Sequence, residues 1–207
     1  MLRNYCVSAN AMSSIARLDP PFVRAIIDGF PNAPRWQSLA CAKLVQSTRA
    51  KVTGTRDWAP LEHCKEKGGV YAFLFPGYLF STARRIALHA PQKNKGKQTI
   101  QFEFSSHSVL LLSNGCMVAY VGRSANLLDR VQGHFSSSKK STLAQVQYGL
   151  VNSKTCGTRA NAVRFILDHA TLAYAELDGS INVANRDVIE VALWAKYMAP
   201  FNIKSEH

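Results

Sequence analysis

Short apolar runs alternate with polar, basic connectors along this chain, and the runs carry two different periods. Gly68 to Tyr78, GGVYAFLFPGY, is apolar almost throughout and bounded by a glycine pair and a Pro-Gly turn, which predicts a buried strand. IQFEFSS, from Ile100, predicts another strand. SVLLLSNGCMVAYVG, from Ser108, predicts a hairpin turning at Asn114-Gly115, the dipeptide favoured in two-residue loops, with a strand from Met117 to Val121 that ends at Gly122. TLAYAEL, from Thr171, alternates as a third strand of the core should. Helices are predicted at DPPFVRAIIDGFP, with Asp19 as N-cap and Gly29 near the stop, and at RWQSLACAKLVQ, NLLDRVQGHF and STLAQVQYGLV. A last helix, NVANRDVIEVALWAKYM, places Val188, Val191, Ala192, Ala195 and Met198 at helical spacing and should stop before Pro200.

Composition turns this outline toward partners. At 207 residues and 47% hydrophobic the chain can bury one substantial core. Its formal net charge of +12 attracts polyanions, nucleic acid first and an anionic membrane surface second. The cations are bunched. Three acid-free segments, Arg35 to Arg56, Ser81 to Gln101 and Arg130 to Leu167, hold most of them, so solvated loops or one basic face are the readings to weigh. APQKNKGKQ, from Ala90, reads as a polar basic loop. No apolar run reaches a membrane span, and the N-terminus lacks the apolar core of a secretory signal, although its arginines and serines loosely suit a transit peptide. Cys6, Cys41, Cys64, Cys116 and Cys156 are scattered and never paired as C-x-x-C, which points to a reduced compartment rather than a disulfide framework or zinc knuckle.

Chemistry concentrates in AYVGRSANLLDRVQGHF, Ala119 to Phe135. Arg130 and His134 are four apart, hence on one helix face, one turn from each other. If that face turns toward the preceding strand end, two arginines, a tyrosine and a histidine surround one small volume. Guanidinium groups clamp phosphate oxygens while tyrosine or histidine handles protons, so the cluster suits a phosphodiester. Taken singly, each residue has an ordinary reading: a surface arginine, a satisfied helix histidine, an exposed helix carboxylate at Glu190, a polar cap at Asn202.

In combination, GGVYAF at Gly68 to Phe73 and AYVGR at Ala119 to Arg123 resemble the paired strand motifs of the GIY-YIG nuclease family, with valine for isoleucine in both. Arg130 and His134 follow Tyr120 at the family's spacing, and NRDVIEVALWAKYMAPFN resembles its last motifs through Glu190, Pro200 and Asn202. The resemblance covers roughly 68–203. It implies an α+β domain with a small three-stranded antiparallel sheet flanked by helices, occupying 68–207, after a mostly helical N-terminal extension at 1–67 with a DNA-binding or dimerisation role. The basic insertion, about 76–112, is longer than the family's usual hairpin, as in its restriction-enzyme-like members.

The resemblance further implies a metal-dependent DNA endonuclease that leaves 5′-phosphate and 3′-hydroxyl ends. Tyr71 takes the proton from the attacking water, its pKa lowered by Arg123 and Arg130; Arg130 grips the scissile phosphate, with Arg123 sharing that task. Tyr120 and His134 orient water, nucleophile or phosphate, Glu190 holds one Mg²⁺ or Mn²⁺ per site, and Asn202 supports the site. Double-stranded DNA is the implied partner, contacted by Arg84, Arg85, Lys93, Lys95, Lys97, Lys139 and Lys140, and read by a homodimer or cut by a monomer. The implied setting is the cytoplasm of a bacterial or phage-infected cell. A structure-specific repair nuclease and a non-catalytic nucleic-acid-binding module are the alternatives.

Overall fold

The computed structural model describes residues 20–45, 57–80, 85–90, 98–103, 111–135, 145–152, 155–177 and 183–202. Its strands are β1 (Gln37–Ala40), β2 (Gly69–Pro76), β3 (Arg85–Ala90), β4 (Gln98–Glu103), β5 (Cys116–Ser124) and β6 (Thr171–Glu176). Its helices are α1 (Pro20–Asp28), α2 (Leu127–Phe135), α3 (Gln145–Asn152), α4 (Arg159–His169) and α5 (Val183–Tyr197), with 3₁₀ turns at Cys41–Val45, Ala59–Cys64 and Gly77–Phe80. The fold is α+β, and the main sheet has four antiparallel strands in the order β1-β6-β2-β5 rather than the expected three. The insertion forms a separate two-stranded hairpin, β3-β4.

β2 is the central strand. Its two faces are both covered, which is why its sequence reads as a continuous apolar run instead of an alternating one. Tyr71, Phe73 and Phe75 pack under α2, α3 and α4, together with Val131, Phe135, Leu150 and Ile166. Val70, Ala72 and Leu74 face α1 and α5 through Val23, Ile26, Ile189 and Leu193. Full burial of each phenylalanine contributes about 1.5–3 kcal/mol.

The fourth strand comes from RWQSLACAKLVQ, expected to be a helix. Gln37–Ala40 instead pairs with Thr171–Tyr174, covering a β6 edge that would otherwise expose unpaired backbone, and only Cys41–Val45 coils. Trp36 anchors the entry: its indole Nε1–H donates to the Ile26 carbonyl at 2.9 Å, and its ring meets Phe30 edge-on. The segment before Gly68 is therefore continuous with the sheet.

Three other differences bear on the site. α5 was expected to carry Val188, Val191, Ala192, Ala195 and Met198 at helical spacing, yet its buried positions are Asn185, Ile189 and Leu193; Val191 and Ala192 are half-buried, Val188 and Ala195 exposed, and Met198, also exposed, lies just past the helix end. That helix is apolar on most sides, so spacing alone does not fix its phase. β5 does not stop at Val121 but runs on to Ser124, paired with Gly69 at the start of β2. α4 was not anticipated; Thr158 caps it, accepting from the Asn161 N–H at 3.1 Å.

The Asn114-Gly115 turn is present in another form. Gly115 N–H donates to the Leu112 carbonyl at 2.8 Å, closing a turn centred on Ser113 and Asn114, and Gly115 follows at φ +76°, the left-handed bulge position of a three-residue loop. The Asp19 cap, Arg84, Lys93, Lys95, Lys97, Lys139 and Lys140 lie outside the described residues, and Arg85 opens β3. No helix among the described residues is long and apolar enough to cross a membrane.

Candidate functional site

The site begins with an irregularity in the β2–β5 ladder. Phe73 pairs with Tyr120 but Leu74 pairs with Val118, so Ala119 is an extra residue, a β-bulge. Without it, strict alternation would send Tyr120 to the α5 face. With it, Ala119 and Tyr120 both join the core on the α2 side, while Val118 and Val121 stay on the other. The bulge thus brings Tyr120 beside Tyr71, ring centroids 6.0 Å apart.

The bulged edge is held from outside. Phe201 N–H donates to the Ala119 carbonyl at 2.9 Å. Asn202 then replaces a strand's pairing with its side chain: Oδ1 accepts the Val121 N–H at 2.9 Å and Nδ2 donates to the Val121 carbonyl at 2.6 Å. Asn202, expected as a support, is placed where it fixes β5 between the two site tyrosine and arginine positions, Tyr120 and Arg123.

Helix α2 supplies the next layer. Asn126 caps it, accepting from the Asp129 N–H at 3.2 Å and donating to the Asp129 carboxylate at 2.8 Å. The resulting phase directs His134 inward, fully buried, with Nε2 at 2.7 Å from the Tyr71 hydroxyl. Arg130, one turn earlier, donates Nε–H to the same hydroxyl at 3.3 Å and is only partly buried. The His134 ring also packs against Tyr120 and Phe73. Gln147 of α3 donates to the His134 carbonyl and accepts from Arg159 Nε at 3.0 Å, a strut from α4 that no sequence signal marked.

Electrostatics here differ from the expectation that cations lower the Tyr71 pKa. Burial, with Tyr120 alongside, pushes the Tyr71 hydroxyl well above the usual tyrosine range, and Arg130 offsets only part of that. Burial and then the Arg130 charge lower His134 to about 3. Both groups are therefore neutral near pH 7, and neutral His134 can accept the Tyr71 proton through Nε2.

A pH dependence follows from His134. Between its unfolded value of 6.5 and its folded value of about 3 the unfolded chain binds a proton that the native chain refuses, so stability falls as pH drops through that window. The expected slope is on the order of 1 kcal/mol per pH unit, absent above the window. Urea melts from about pH 7 to pH 4 should show this acid limb, and His134→Gln should flatten it.

Gly122 pairs with Tyr71 across the ladder, and a Cβ there would sit 2.5 Å from the Tyr71 hydroxyl and 2.8 Å from Tyr120 Cε1. Neither ring is a free end that can swing away. Gly122→Ala is expected to displace both tyrosines and cost about 1–3 kcal/mol, read as a lowered melting temperature.

Arg123 and Glu190 form a second group. Arg123 pairs with Val70 and so leaves β5 on the α5 face, where its Nε lies 3.1 Å from Glu190 Oε2 and 2.6 Å from Asp187 Oδ1. The Arg123 Nε and Asp187 Oδ1 atoms are buried and not aligned as a hydrogen bond, so their contact is ionic only. Asp187 stands one turn before Glu190 and joins it on this cation. Tyr71, Tyr120, Arg130 and His134 are thus gathered on one face, Arg123 and Glu190 on the other, with β5 common to both.

Asp187 and Glu190 meet Arg123 from one side of α5, and Asp187 Oδ1 lacks a hydrogen bond; these are the oxygens that could hold a hard cation, at the place the Arg123 guanidinium occupies. No family model, curated protein or solved structure matches this chain.

Proposed function

We propose that the protein is a metal-dependent DNA endonuclease of the GIY-YIG kind, with Tyr71, Tyr120, Arg130 and His134 at the reacting phosphate. The observation that carries this reading is the single hydroxyl of Tyr71 meeting both a guanidinium N–H and a neutral imidazole, with a second tyrosine brought alongside by a bulge. A structural core has little use for an arginine aimed at a buried tyrosine. Phosphodiester hydrolysis needs such a set: a cation for the anionic oxygens and a relay for the proton of water.

In this reading Arg130 turns from Tyr71 to a non-bridging phosphate oxygen. Its charge is then neutralised by the substrate, which removes one of the two causes that depress His134. Tyr71 passes its proton to His134 Nε2 as it takes one from the attacking water. Glu190, with Asp187, would hold Mg²⁺ or Mn²⁺ on the α5 face of β5, opposite the tyrosines, and the ion would supply Lewis-acid stabilisation of the leaving 3′ oxygen only to a phosphate bound across the end of that strand. The basic segments of the insertion and of 136–140 supply phosphate contacts along the duplex.

The test is the chemistry of the products. Linear duplex DNA cut in Mg²⁺ should be rejoined by a DNA ligase without prior treatment, as 5′-phosphate and 3′-hydroxyl ends require; fragments that need a kinase or phosphatase first would contradict the proposed bond cleavage. The burial of Tyr71 and His134 favours one second reading, a nucleic-acid-binding module in which the network only orders the core. That protein would retard DNA and leave it intact.

A further inference from the structure

We propose that His63, Cys64 and Glu176 form a binding site for a borderline-soft divalent metal of the Zn²⁺ class, separate from the carboxylates of α5. The 3₁₀ turn Ala59–Cys64 delivers the first two residues, and the end of β6 delivers the third. Their donor atoms all lie within 4.8 Å of one another. His63 Nε2 is 3.5 Å from Glu176 Oε1, and the Cys64 thiol donates to the same oxygen at 3.7 Å. Zinc at about 2.0–2.3 Å from N, O and S donors in a tetrahedron sets neighbouring donors roughly 3.3–3.7 Å apart. Only a small inward movement of the half-exposed His63 closes the site.

The donor types choose the metal. One thiolate, one imidazole and one carboxylate suit Zn²⁺ or Co²⁺ and do not suit Mg²⁺, which takes oxygen. The surroundings already orient the ligands. Lys67 Nζ holds the other carboxylate oxygen of Glu176 at 2.6 Å, an outer contact of the kind that fixes ligand orientation in metal sites. The Tyr174 hydroxyl, which donates to Gln37 Oε1 at 2.9 Å, stands 3.2 Å from His63 Nε2, so the ion displaces it from that nitrogen. On binding, Zn²⁺ replaces the proton of the Cys64 thiol, which is released to solvent; the S–H bond breaks, the Zn–S bond forms, and no electron is exchanged. Water takes the fourth position. The ion would tie the turn before β2 to the end of β6, beside Gly69 where β2 begins.

Titrating the metal-free full chain with Co²⁺ tests this without reference to DNA cleavage. The expected result is a single equivalent bound with the near-ultraviolet charge-transfer band of a cobalt–thiolate bond, lost in Cys64→Ser and displaced by Zn²⁺ but not by Mg²⁺. His63→Ala, at a position exposed enough to leave the core intact, should weaken Co²⁺ binding at least tenfold, on the order of what loss of even an outer ligand contact costs. A wild-type titration with no thiolate band, or a band that survives in Cys64→Ser and so belongs to another of the cysteines, overturns the proposal.

Discussion

Tyr71→Phe should cut DNA about 10²–10⁴-fold more slowly than the wild-type chain while still binding it, as expected when a general acid–base group is removed. The substitution keeps the buried ring and its packing against Phe73, and deletes the one atom that both Arg130 and His134 touch. His134 Nε2 and Arg130 Nε each lose a partner, so stability should fall by about 1–3 kcal/mol, the cost of a buried polar group left unsatisfied. Stability and catalysis thereby separate. A binding module would show the first effect alone, whereas a nuclease shows a rate loss far beyond what a few unfolded molecules explain. Single-turnover cleavage with excess enzyme, set beside a urea melt of the same preparation, distinguishes the two.

Glu190→Gln should abolish metal-dependent cleavage and leave the DNA affinity nearly unchanged. The amide keeps the shape of the side chain and removes the charge that a hard cation requires. Arg123 still has Asp187 at 2.6 Å, so the end of β5 remains tethered to α5 and the fold should survive. Asp187→Asn is the informative companion. If the two carboxylates act as a pair, it raises the metal concentration needed for cleavage without silencing the enzyme. Cleavage by Glu190→Gln at wild-type rate and metal demand would remove that residue from the mechanism.

What sequence reveals about this molecule depends on whether local pattern or a distant contact decides each feature. β2 is legible because a strand buried on both faces must be apolar throughout, β6 because TLAYAEL alternates, and α2 because its cap, Asn126, lies beside its first apolar turn. β1 is not legible. Gln37–Ala40 extends only because β6, more than a hundred residues later, offers an unpaired edge. The bulge at Ala119 is equally silent, since one extra residue in a ladder leaves no trace in composition, yet it decides which face Tyr120 serves.

For the candidate site, the residue types were visible and their environment was not. Motif order places Tyr71, Tyr120, Arg130 and His134 together, and the structure does bring these four into contact range. It also sends Arg123 to the opposite face, because β5 continues its alternation past Gly122 to Ser124. The proton chemistry reverses for a physical reason as well: counting nearby cations predicts an acidic Tyr71, but the desolvation of a fully buried hydroxyl outweighs one partly exposed guanidinium. The His63–Cys64–Glu176 group escapes a search for paired cysteines because its third member comes from β6.

Supercoiled plasmid incubated with the purified chain in Mg²⁺ or in EDTA, with Arg130→Ala as the paired control, separates a nuclease from a binding module on one gel. Wild type in Mg²⁺ alone should give nicked or linear DNA, and Arg130→Ala at least about a hundredfold less, the scale of losing one transition-state cation. Plasmid that is retarded yet stays supercoiled in Mg²⁺ and Mn²⁺ alike would overturn the nuclease reading.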